Sequence, residues 1–433
     1  MIIQILQFFM SLSLIVIIHE CGHFLFAKLF KCRVEKFYLF FDWKFSLLKK
    51  KYGETTYGIG WIPLGGYVKI AGMVDESMDK EQMKQEPQPW EFRSKKAWQR
   101  LLIIVGGVVM NFILAAVIYI GVSWVYGESY ISTKDIHSGY EFSQTAQEIG
   151  FANGDKIISI DGVEVENSAL LAQEILLSSK RNVLVDRGGK EVTVSITGEQ
   201  VGALLKEGGF VTPRVPFVIA EVATAANSEV LAAGDSLVAV NGRKMFFADE
   251  FRTAFKRSAS DSIIVELVRE GEAMTVTLAL DNNGGIGVQL LPLNIYPVTE
   301  KHYSFFEAIP HGINRGIEQL AGYFDQLGLI FSPETEAYKG VGGFITMGKI
   351  FSNEWNWYKF WNITALLSIM IGALNIMPIP ALDGGHLIFI IYEMIVGRAP
   401  SQKFMETAQL VGFVLIIGLV LLANGNDIIK LFS

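Results

Sequence analysis

The segment IVIIHECGHFLFAKLF, residues 15–30, places two histidines, a glutamate and a cysteine in a stretch that otherwise suits lipid. Apolar residues already dominate from residue 2, so residues 2–30 are long enough for one membrane-spanning helix. An ionisable side chain near the middle of a bilayer costs about 2.5 kcal/mol or more unless a partner compensates it. The sequence therefore predicts that these polar residues have a function.

A secretory signal peptide is the alternative interpretation of this segment. Such a peptide begins with basic residues and ends at a cleavage site with small side chains. No lysine or arginine precedes Lys28. We therefore expect a retained membrane span at residues 1–30.

The composition of the whole chain is typical of a membrane protein that carries a soluble part. Its 433 residues are 51% hydrophobic and have a mean hydropathy of +0.34, so it is more apolar than an ordinary soluble domain. Three further segments without charged residues are long enough to cross a bilayer, namely Leu101–Tyr126, Trp361–Leu382 and Thr407–Asn426. We expect four spans in contact with membrane lipid, and independent domains in the insert at 127–359.

Basic residues predict the orientation, because short loops rich in lysine and arginine stay in the cytoplasm. Such residues follow the first span and precede the second and fourth: Lys28, Lys31, Arg33, Lys36, Lys95, Lys96, Arg100, Arg398 and Lys403. The insert and both termini should then face outward. The formal net charge of −7 argues against nucleic acid as a partner. Cys21 and Cys32 would lie about 16 Å apart on one continuous helix, too far for a disulfide.

The H-E-x-x-H pattern at residues 19–23 predicts a zinc site. His19 and His23 are four residues apart, so on a helix they share a face, and Glu20 lies next to that face. In this pattern the two imidazoles bind zinc, and the glutamate accepts a proton from the metal-bound water. Cys21 lies about 200° around the helix from each histidine, so we expect it to pack against neighbours instead of binding metal.

A catalytic zinc usually has three protein ligands and an open position, so a third ligand is expected elsewhere. The segment LNIMPIPALDGGHLIF, residues 374–389, offers Asp383 between a proline pair and a glycine pair. Irregular backbone at membrane depth is tolerated when it is buried in protein or lines a wet cavity, so Asp383 should point inward. His386 ranks second as the third ligand. The alternative role of Asp383 is a helix cap.

These two motifs together resemble the site-2 protease family of intramembrane zinc metalloproteases. The resemblance rests on HECGHF and on the pattern N-x-x-P-x-P-x-L-D-G-G-H. The layout of four spans with a long outward insert is similar to the RseP-type branch, the regulators of sigma-E stress signalling. The resemblance implies that His19, His23 and Asp383 bind one Zn²⁺ and that Glu20 is the general base.

Two asparagines match positions of the family. Asn375 corresponds to an asparagine thought to help hold the substrate backbone, and its alternative role is a hydrogen bond to a neighbouring helix. The segment GGVVMNF, residues 106–112, resembles a G-P-x-x-N-F signature. It aligns Asn111, which we count among the substrate-binding residues, and has Val108 where the family often has proline.

The segment GIGWIPLGGYVKIAG, residues 58–72, resembles a cytoplasmic G-x-x-P-x-G-G-[FY]-V-K loop of the family that dips towards the active site. Gly65 and Gly66, between two β-prone runs, predict the turn of a β-hairpin. The hairpin edge could bind an unwound substrate as an added strand, with Gly65, Gly66 and Tyr67 in contact with it. An ordinary hairpin in a cytosolic loop is the alternative.

Two similar units at residues 149–165 and 230–245 resemble bacterial PDZ domains. Each has a Gly-Asp pair followed by alternating apolar residues and a tight turn, and Asp155 and Asp235 are eighty residues apart. PDZ domains bind peptides by strand addition, so an extracytoplasmic peptide or protein is an expected partner. A mixed apolar and charged pattern at 303–331 predicts an amphipathic helix near the membrane surface.

The expected fold is a polytopic α-helical membrane protein with two inserted α+β PDZ domains. The predicted boundaries are 1–30 for the first span, 31–97 for a cytoplasmic loop with a membrane-associated hairpin, 98–126 for the second span, 127–208 and 209–298 for the PDZ domains, 299–358 for an amphipathic linker, 359–397 for the third span and 398–433 for the fourth.

The predicted function is a zinc endopeptidase of a bacterial inner membrane that cuts transmembrane segments of single-span proteins. The resemblance implies substrates already shortened by a first protease, such as anti-sigma factors and signal-peptide remnants. A PDZ scaffold or chaperone with a dead metal site is disfavoured, because all four catalytic positions hold competent residues. A metal transporter could also use buried His and Asp, but transporters usually have paired broken helices, and only the third span here is interrupted.

Overall fold

The computed structural model describes residues 2–73, 86–258, 260–291 and 295–432. Residues 74–85 of the predicted cytoplasmic loop, and 259 and 292–294 of the second predicted PDZ domain, lie outside the described residues. The chain forms two compact units. The first comprises Met1–Gly127, His302–Leu327 and Lys339–Ser433, and the second comprises Glu128–Lys301 and Gly328–Tyr338.

Long apolar helices dominate the parts of the chain on either side of the insert. With labels in chain order, their bounds are α1 Ile2–Leu29, α2 Ala97–Tyr126, α7 Phe305–Phe331, α8 Phe344–Ile350, α9 Trp357–Ile376, α10 Asp383–Val396 and α11 Gln402–Phe432. By length and composition, α1, α2, α9 and α11 could each cross a membrane. Large apolar side chains are exposed along these helices, as expected for surfaces that face hydrocarbon.

The third apolar segment is interrupted as the proline pair predicts, but its helix is shorter than the predicted span. α9 ends at Ile376 instead of Leu382, and Met377 is extended with φ −62° and ψ 146°. The reason is that a residue before proline is pushed out of the helical conformation, and Pro378 has no N–H to continue the helix. α10 then begins at Asp383. The fourth helix, by contrast, runs beyond both ends of the predicted 407–426.

α1 and α2 cross with their backbones in contact. A β-carbon at Gly22 of α1 would lie 2.2 Å from the carbonyl oxygen of Gly106 in α2. Small residues at a helix crossing allow such a close approach in membranes. The crossing places the next turns of α2 beside the histidines of α1.

Four strands between α1 and α2 form a mixed sheet in the order β2-β3-β1-β4. Their bounds are β1 Val34–Phe41, β2 Leu48–Tyr52, β3 Thr55–Ile59 and β4 Ile62–Ile70. β3 pairs with β1 in parallel, and β4 pairs with β1 in antiparallel fashion. Among the described residues, β4 therefore forms one edge of the sheet.

The predicted hairpin at 58–72 is wrong. β3 and β4 do not pair with each other, and Gly65 and Gly66 lie inside β4 instead of in a turn. The physical reason for glycine at position 66 is packing. A β-carbon at Gly66 would lie 2.7 Å from Cγ1 of Val16 in α1 and 2.7 Å from the carbonyl oxygen of Tyr38. Glycine thus allows the sheet to pack tightly on the membrane helix.

The second unit is built from short strands and short helices. Its helices are α3 Gln144–Ile149, α4 Leu171–Leu177, α5 Gly198–Glu207 and α6 Ala248–Lys256. Its strands are β5 Glu128–Ile131, β6 Tyr140–Phe142, β7 Lys156–Ile160, β8 Asn182–Asp186, β9 Glu191–Ser195, β10 Val211–Pro213, β11 Ile219–Val222, β12 Ser236–Val240, β13 Arg243–Lys244, β14 Ser262–Arg269, β15 Glu272–Ala279, β16 Val288–Leu290 and β17 Val298–Lys301. Two separate apolar cores divide it into two subdomains, one around Val183 and one around Phe251.

The two subdomains contain the same ion pair between a buried aspartate and a partly exposed arginine. Asp155 accepts two hydrogen bonds from Arg187, at 2.7 Å each, and Asp235 accepts two from Arg269, also at 2.7 Å each. Hydrogen bonds from Arg269 hold the pKa of Asp235 below its usual value. The duplication that the Gly-Asp pairs indicate is therefore repeated in side-chain contacts. β10 pairs with β6 of the first subdomain, beyond the predicted boundary at residue 208.

Candidate metal centre

α1 brings the two predicted histidines together. The Nε2 atoms of His19 and His23 are 3.2 Å apart. Asp383, the first residue of α10, places its Oδ2 3.2 Å from Nε2 of His19 and 3.3 Å from Nε2 of His23. Within the described residues, these three make the one group of His, Cys, Asp and Glu side chains close enough to share a metal ion.

A backbone carbonyl of α2 determines which nitrogen of the His23 imidazole is protonated. Nδ1 of His23 lies 2.9 Å from the carbonyl oxygen of Ile103. A carbonyl oxygen can only accept, so Nδ1 carries the proton and donates it. In the neutral ring, Nε2 then presents its lone pair to the site, as in a metal-binding histidine.

Asn111 of α2 contacts the other imidazole. Its side-chain nitrogen lies 3.3 Å from Nδ1 of His19, and its Oδ1 is buried without a hydrogen-bond partner among the described residues. The two ends of an amide are assigned from the hydrogen-bond network and can be exchanged. In the exchanged orientation Oδ1 accepts the Nδ1 proton of His19, and Nε2 is free to bind a metal.

The donor set fits zinc. Oδ2 of Asp383 is buried and has no hydrogen-bond partner in the part of the chain that the structure describes, and it faces two imidazole nitrogens. Three electron-pair donors in contact repel one another unless a proton or a metal cation lies between them. Tetrahedral zinc with bonds of about 2.1 Å sets its ligand atoms about 3.4 Å apart. The observed separations of 3.2 and 3.3 Å are close to that spacing.

Gly107 of α2 provides the space for the two imidazoles. A β-carbon there would lie 2.5 Å from Nε2 of His23 and 2.8 Å from Cε1 of His19. Sequence reasoning missed this residue, although the spacing of Gly107 and Asn111 by four places both on one helix face. The same face of α2 therefore supplies both the room and a hydrogen-bond partner for the predicted ligands.

Glu20 directly follows His19 in α1 and lies close to Gly66 of β4. Glu20 is half-buried. A β-carbon at Gly66 would lie 3.4 Å from Cγ of Glu20. A carboxylate in this position can exchange a proton with a group held at the metal.

The predicted substrate-binding residues fall in different places. Asn375 is half-buried, with its side-chain nitrogen 3.4 Å from Nε2 of His19, and so lies at the rim of the metal group. Asn111 is fully buried against His19. Gly65, with φ 135°, belongs to β4. The hydroxyl of Tyr67 donates to Oδ1 of Asp42 at 2.8 Å, within the sheet.

The contact with Tyr67 lowers the pKa of Asp42 on the sheet. Burial raises the pKa of Asp42, but hydrogen bonds from Tyr67 and Lys36 outweigh burial and hold the pKa below its usual value. Asp42 is therefore charged at neutral pH and keeps the Tyr67 ring in place.

Other histidines and the cysteines lie outside the metal group. Nε2 of His386, the second-ranked third ligand, is 3.2 Å from the side-chain nitrogen of Gln409. His311 is 3.0 Å from the hydroxyl of Ser123 and stacks on Tyr303. The cysteines are free thiols, as their spacing predicts.

An H-E-x-x-H helix in a set of apolar helices, completed by a carboxylate from a broken helix pair, defines a membrane metallopeptidase. The chain belongs to peptidase family M50, whose model matches residues 7–419. The family is zinc-dependent, and this protein is a zinc metalloprotease. The resemblance drawn from the two motifs is thereby confirmed.

Full-length relatives agree with this membership. The chain is 29% identical to Regulator of sigma E protease from Salmonella typhi, with 98% of each chain covered. It is 28% identical to Regulator of sigma-E protease RseP from Escherichia coli, again over 98% of each chain. Protease RseP from Yersinia pestis is 27% identical over 98% of each chain.

Replacement of Asn111 tests its contact with His19. We expect Asn111→Ala to weaken zinc binding about 10- to 100-fold, because partners of ligating histidines orient the ring. Competition with a chelator on the purified full-length protein measures the affinity. Asn362→Ala, in α9 and outside the metal group, is the matched control. Equal zinc affinities for Asn111→Ala and the parent would contradict the positioning role.

Proposed function

We propose that the protein is an intramembrane zinc endopeptidase that hydrolyses peptide bonds within the membrane-spanning segments of single-span proteins. The observation that carries this proposal is the depth of the metal group. His19 lies about 15 Å of helix rise from Leu29, the end of α1, in a helix apolar enough to cross a membrane. A peptide bond that reaches this depth belongs to a segment that itself enters the bilayer.

In this proposal, His19, His23 and Asp383 hold the metal and Glu20 is the general base. Bound zinc supplies a Lewis acid that lowers the pKa of a water molecule and polarises the scissile carbonyl. Glu20 takes the proton of the attacking water and returns it to the leaving amine. Asn375, at the rim of the metal group, donates its amide to the substrate backbone.

Among the described residues β4 is the edge strand of the sheet, and this edge is the proposed support for an unwound substrate. A transmembrane helix satisfies its backbone groups internally, so unwinding in lipid leaves each group unpaired at a cost of several kcal/mol. An edge strand offers donors and acceptors that replace those bonds. Gly66 lies at Glu20 and carries no side chain that could obstruct an added strand. Tyr67 stabilises this strand through Asp42.

The proposed topology has four membrane crossings in a bacterial inner membrane. The basic residues around the spans support an outward location for both termini and for the second unit. The two subdomains, with their repeated Asp–Arg pairs, would act as a PDZ pair that admits substrates already shortened outside. Because the names of the relatives refer to sigma E regulation, membrane-bound anti-sigma factors are the first substrate class to test, followed by signal-peptide remnants.

A reporter with one transmembrane segment tests this function. In membranes that contain the natural chain, we expect the reporter trimmed on its outward side to be cut inside the segment, and the untrimmed reporter to be cut more slowly. Mass spectrometry of the two products locates the cleaved bond. Cleavage confined to soluble parts would contradict the proposal. Tight co-purification with an uncut reporter would favour a scaffold or chaperone.

A further inference from the structure

A shallow and widely open apolar depression, called the cavity below, lies beside α1 on the same helix face as Glu20. Its volume is about 530 Å³. The cavity is lined by Phe9, Met10, Ser13, Leu14, Ile17 and Phe40. We propose that it is a specificity subsite for a large apolar side chain of the substrate, about three residues from the scissile bond. This inference rests on the proposed endopeptidase function.

The positions of the lining residues along α1 give a first measure of the distance from Glu20 to the cavity. Met10, Ser13, Ile17 and Glu20 follow one another at intervals of three and four residues, so they line one face of the helix. Leu14, near the middle of the lining, is six residues from Glu20, or about 9 Å of helix rise. An extended chain covers that distance in about three residues.

The sheet gives a second, independent measure of the distance from Glu20 to the cavity. β1 and β4 pair regularly up to Leu39 opposite Gly66, and pairing resumes at Phe41 opposite Ile62. Phe40 is therefore the one residue of β1 opposite residues 63–65 of β4. Since Gly66 lies at Glu20, this irregular stretch begins next to the predicted base and ends about 10 Å farther along an extended strand. A substrate strand that pairs along β4 therefore reaches the cavity at the third residue from the scissile bond. The helix rise along α1 indicates the same residue.

The backbone of Phe40 is held in an unusual conformation. Its φ is 67°, a left-handed value that is rare for a bulky residue. Irregular pairing next to active sites commonly re-aims a side chain, and Phe40 is the one lining residue of the cavity that α1 does not supply. Local strain of this kind persists where the surrounding structure requires the position.

The chemistry of the walls selects the occupant. Five of the six lining side chains are apolar, and the hydroxyl of Ser13 already donates to the carbonyl oxygen of Phe9 at 2.6 Å. The hydroxyl hydrogen of Ser13 is thus already used, and a leucine, methionine or phenylalanine side chain matches the mainly apolar lining. Ile17 lies one helical turn from Glu20, and Phe40 lies opposite residues 63–65 of β4. This proximity to the predicted base and to the edge strand favours a substrate residue over a lipid chain.

A substrate series tests the subsite. Single-span reporters carry Ala, Leu or Phe at each of the five positions on either side of the mapped cleavage site. For the natural chain we expect Leu and Phe to be cut about tenfold faster than Ala at one position, the third residue on one side. Leu14→Trp, which fills the cavity, should reduce this Leu-to-Ala ratio to near one, while Leu25→Trp, on the exposed face of α1, should keep it.

The outcomes separate the two proposals. If the natural chain cuts every reporter at the same rate, the subsite is wrong and the endopeptidase function stands. If Leu14→Trp slows Ala and Leu reporters equally, the cavity serves packing or lipid contact and the inference is also overturned. If the natural chain cuts none of the reporters, the proposed function itself fails.

Discussion

Glu20→Gln is expected to abolish cleavage of a trimmed single-span reporter while zinc stays bound. Glutamine has the shape of glutamate but cannot accept a proton from the attacking water, and the loss of a positioned general base lowers a rate by about 10²- to 10⁴-fold. His19, His23 and Asp383 surround the metal position without Glu20, so the zinc content should match that of the parent. Reporter cleavage in membranes and elemental analysis of the purified proteins provide the two measurements.

A second glutamine variant controls for the loss of a charge near α1. Glu54 forms an ion pair with Lys28 and lies outside the metal group, so Glu54→Gln should cut the reporter at the parental rate. If Glu20→Gln cut as fast as the parent, Glu20 would not be the base. If the purified parent held no zinc, the metal-centre assignment would fail and the scaffold interpretation would become the better one.

The sequence predicted the parts of the site that depend on one helix. His19, Glu20 and His23 are related by helical spacing alone, so their shared position follows from the period of 3.6 residues. Asp383 is more than 350 residues away, and its place beside the histidines came from the broken helix and from the family resemblance. α2 also contacts the site, but no local sequence pattern indicated this. One such contact is the hydrogen bond from His23 to the carbonyl oxygen of Ile103.

The sheet shows why turn chemistry alone misled the prediction. A glycine pair between β-prone runs is typical of a hairpin turn, but Gly66 serves the approach of β4 to Val16 of α1. That approach depends on a segment fifty residues earlier in the chain, which a local pattern does not contain. In the second unit, likewise, the Gly-Asp pairs revealed the duplication, whereas Arg187 and Arg269, the partners of the two aspartates, lie too far along the sequence for local reasoning.

Asp383→Ala is expected to lose zinc and activity together, because it removes one of the three proposed ligands. Loss of a ligand should weaken zinc binding by more than the roughly 10- to 100-fold typical of a supporting residue. Asp383→Asn preserves the size of the side chain but removes the charge that faces His19 and His23. It should lose zinc and activity as Asp383→Ala does, and this result would separate loss of a ligand from a packing defect. His386→Ala is the matched control, since His386 contacts Gln409 instead. Zinc content, chelator competition and reporter cleavage measure the effect. If Asp383→Asn kept its zinc while His386→Ala lost it, the third ligand would be His386.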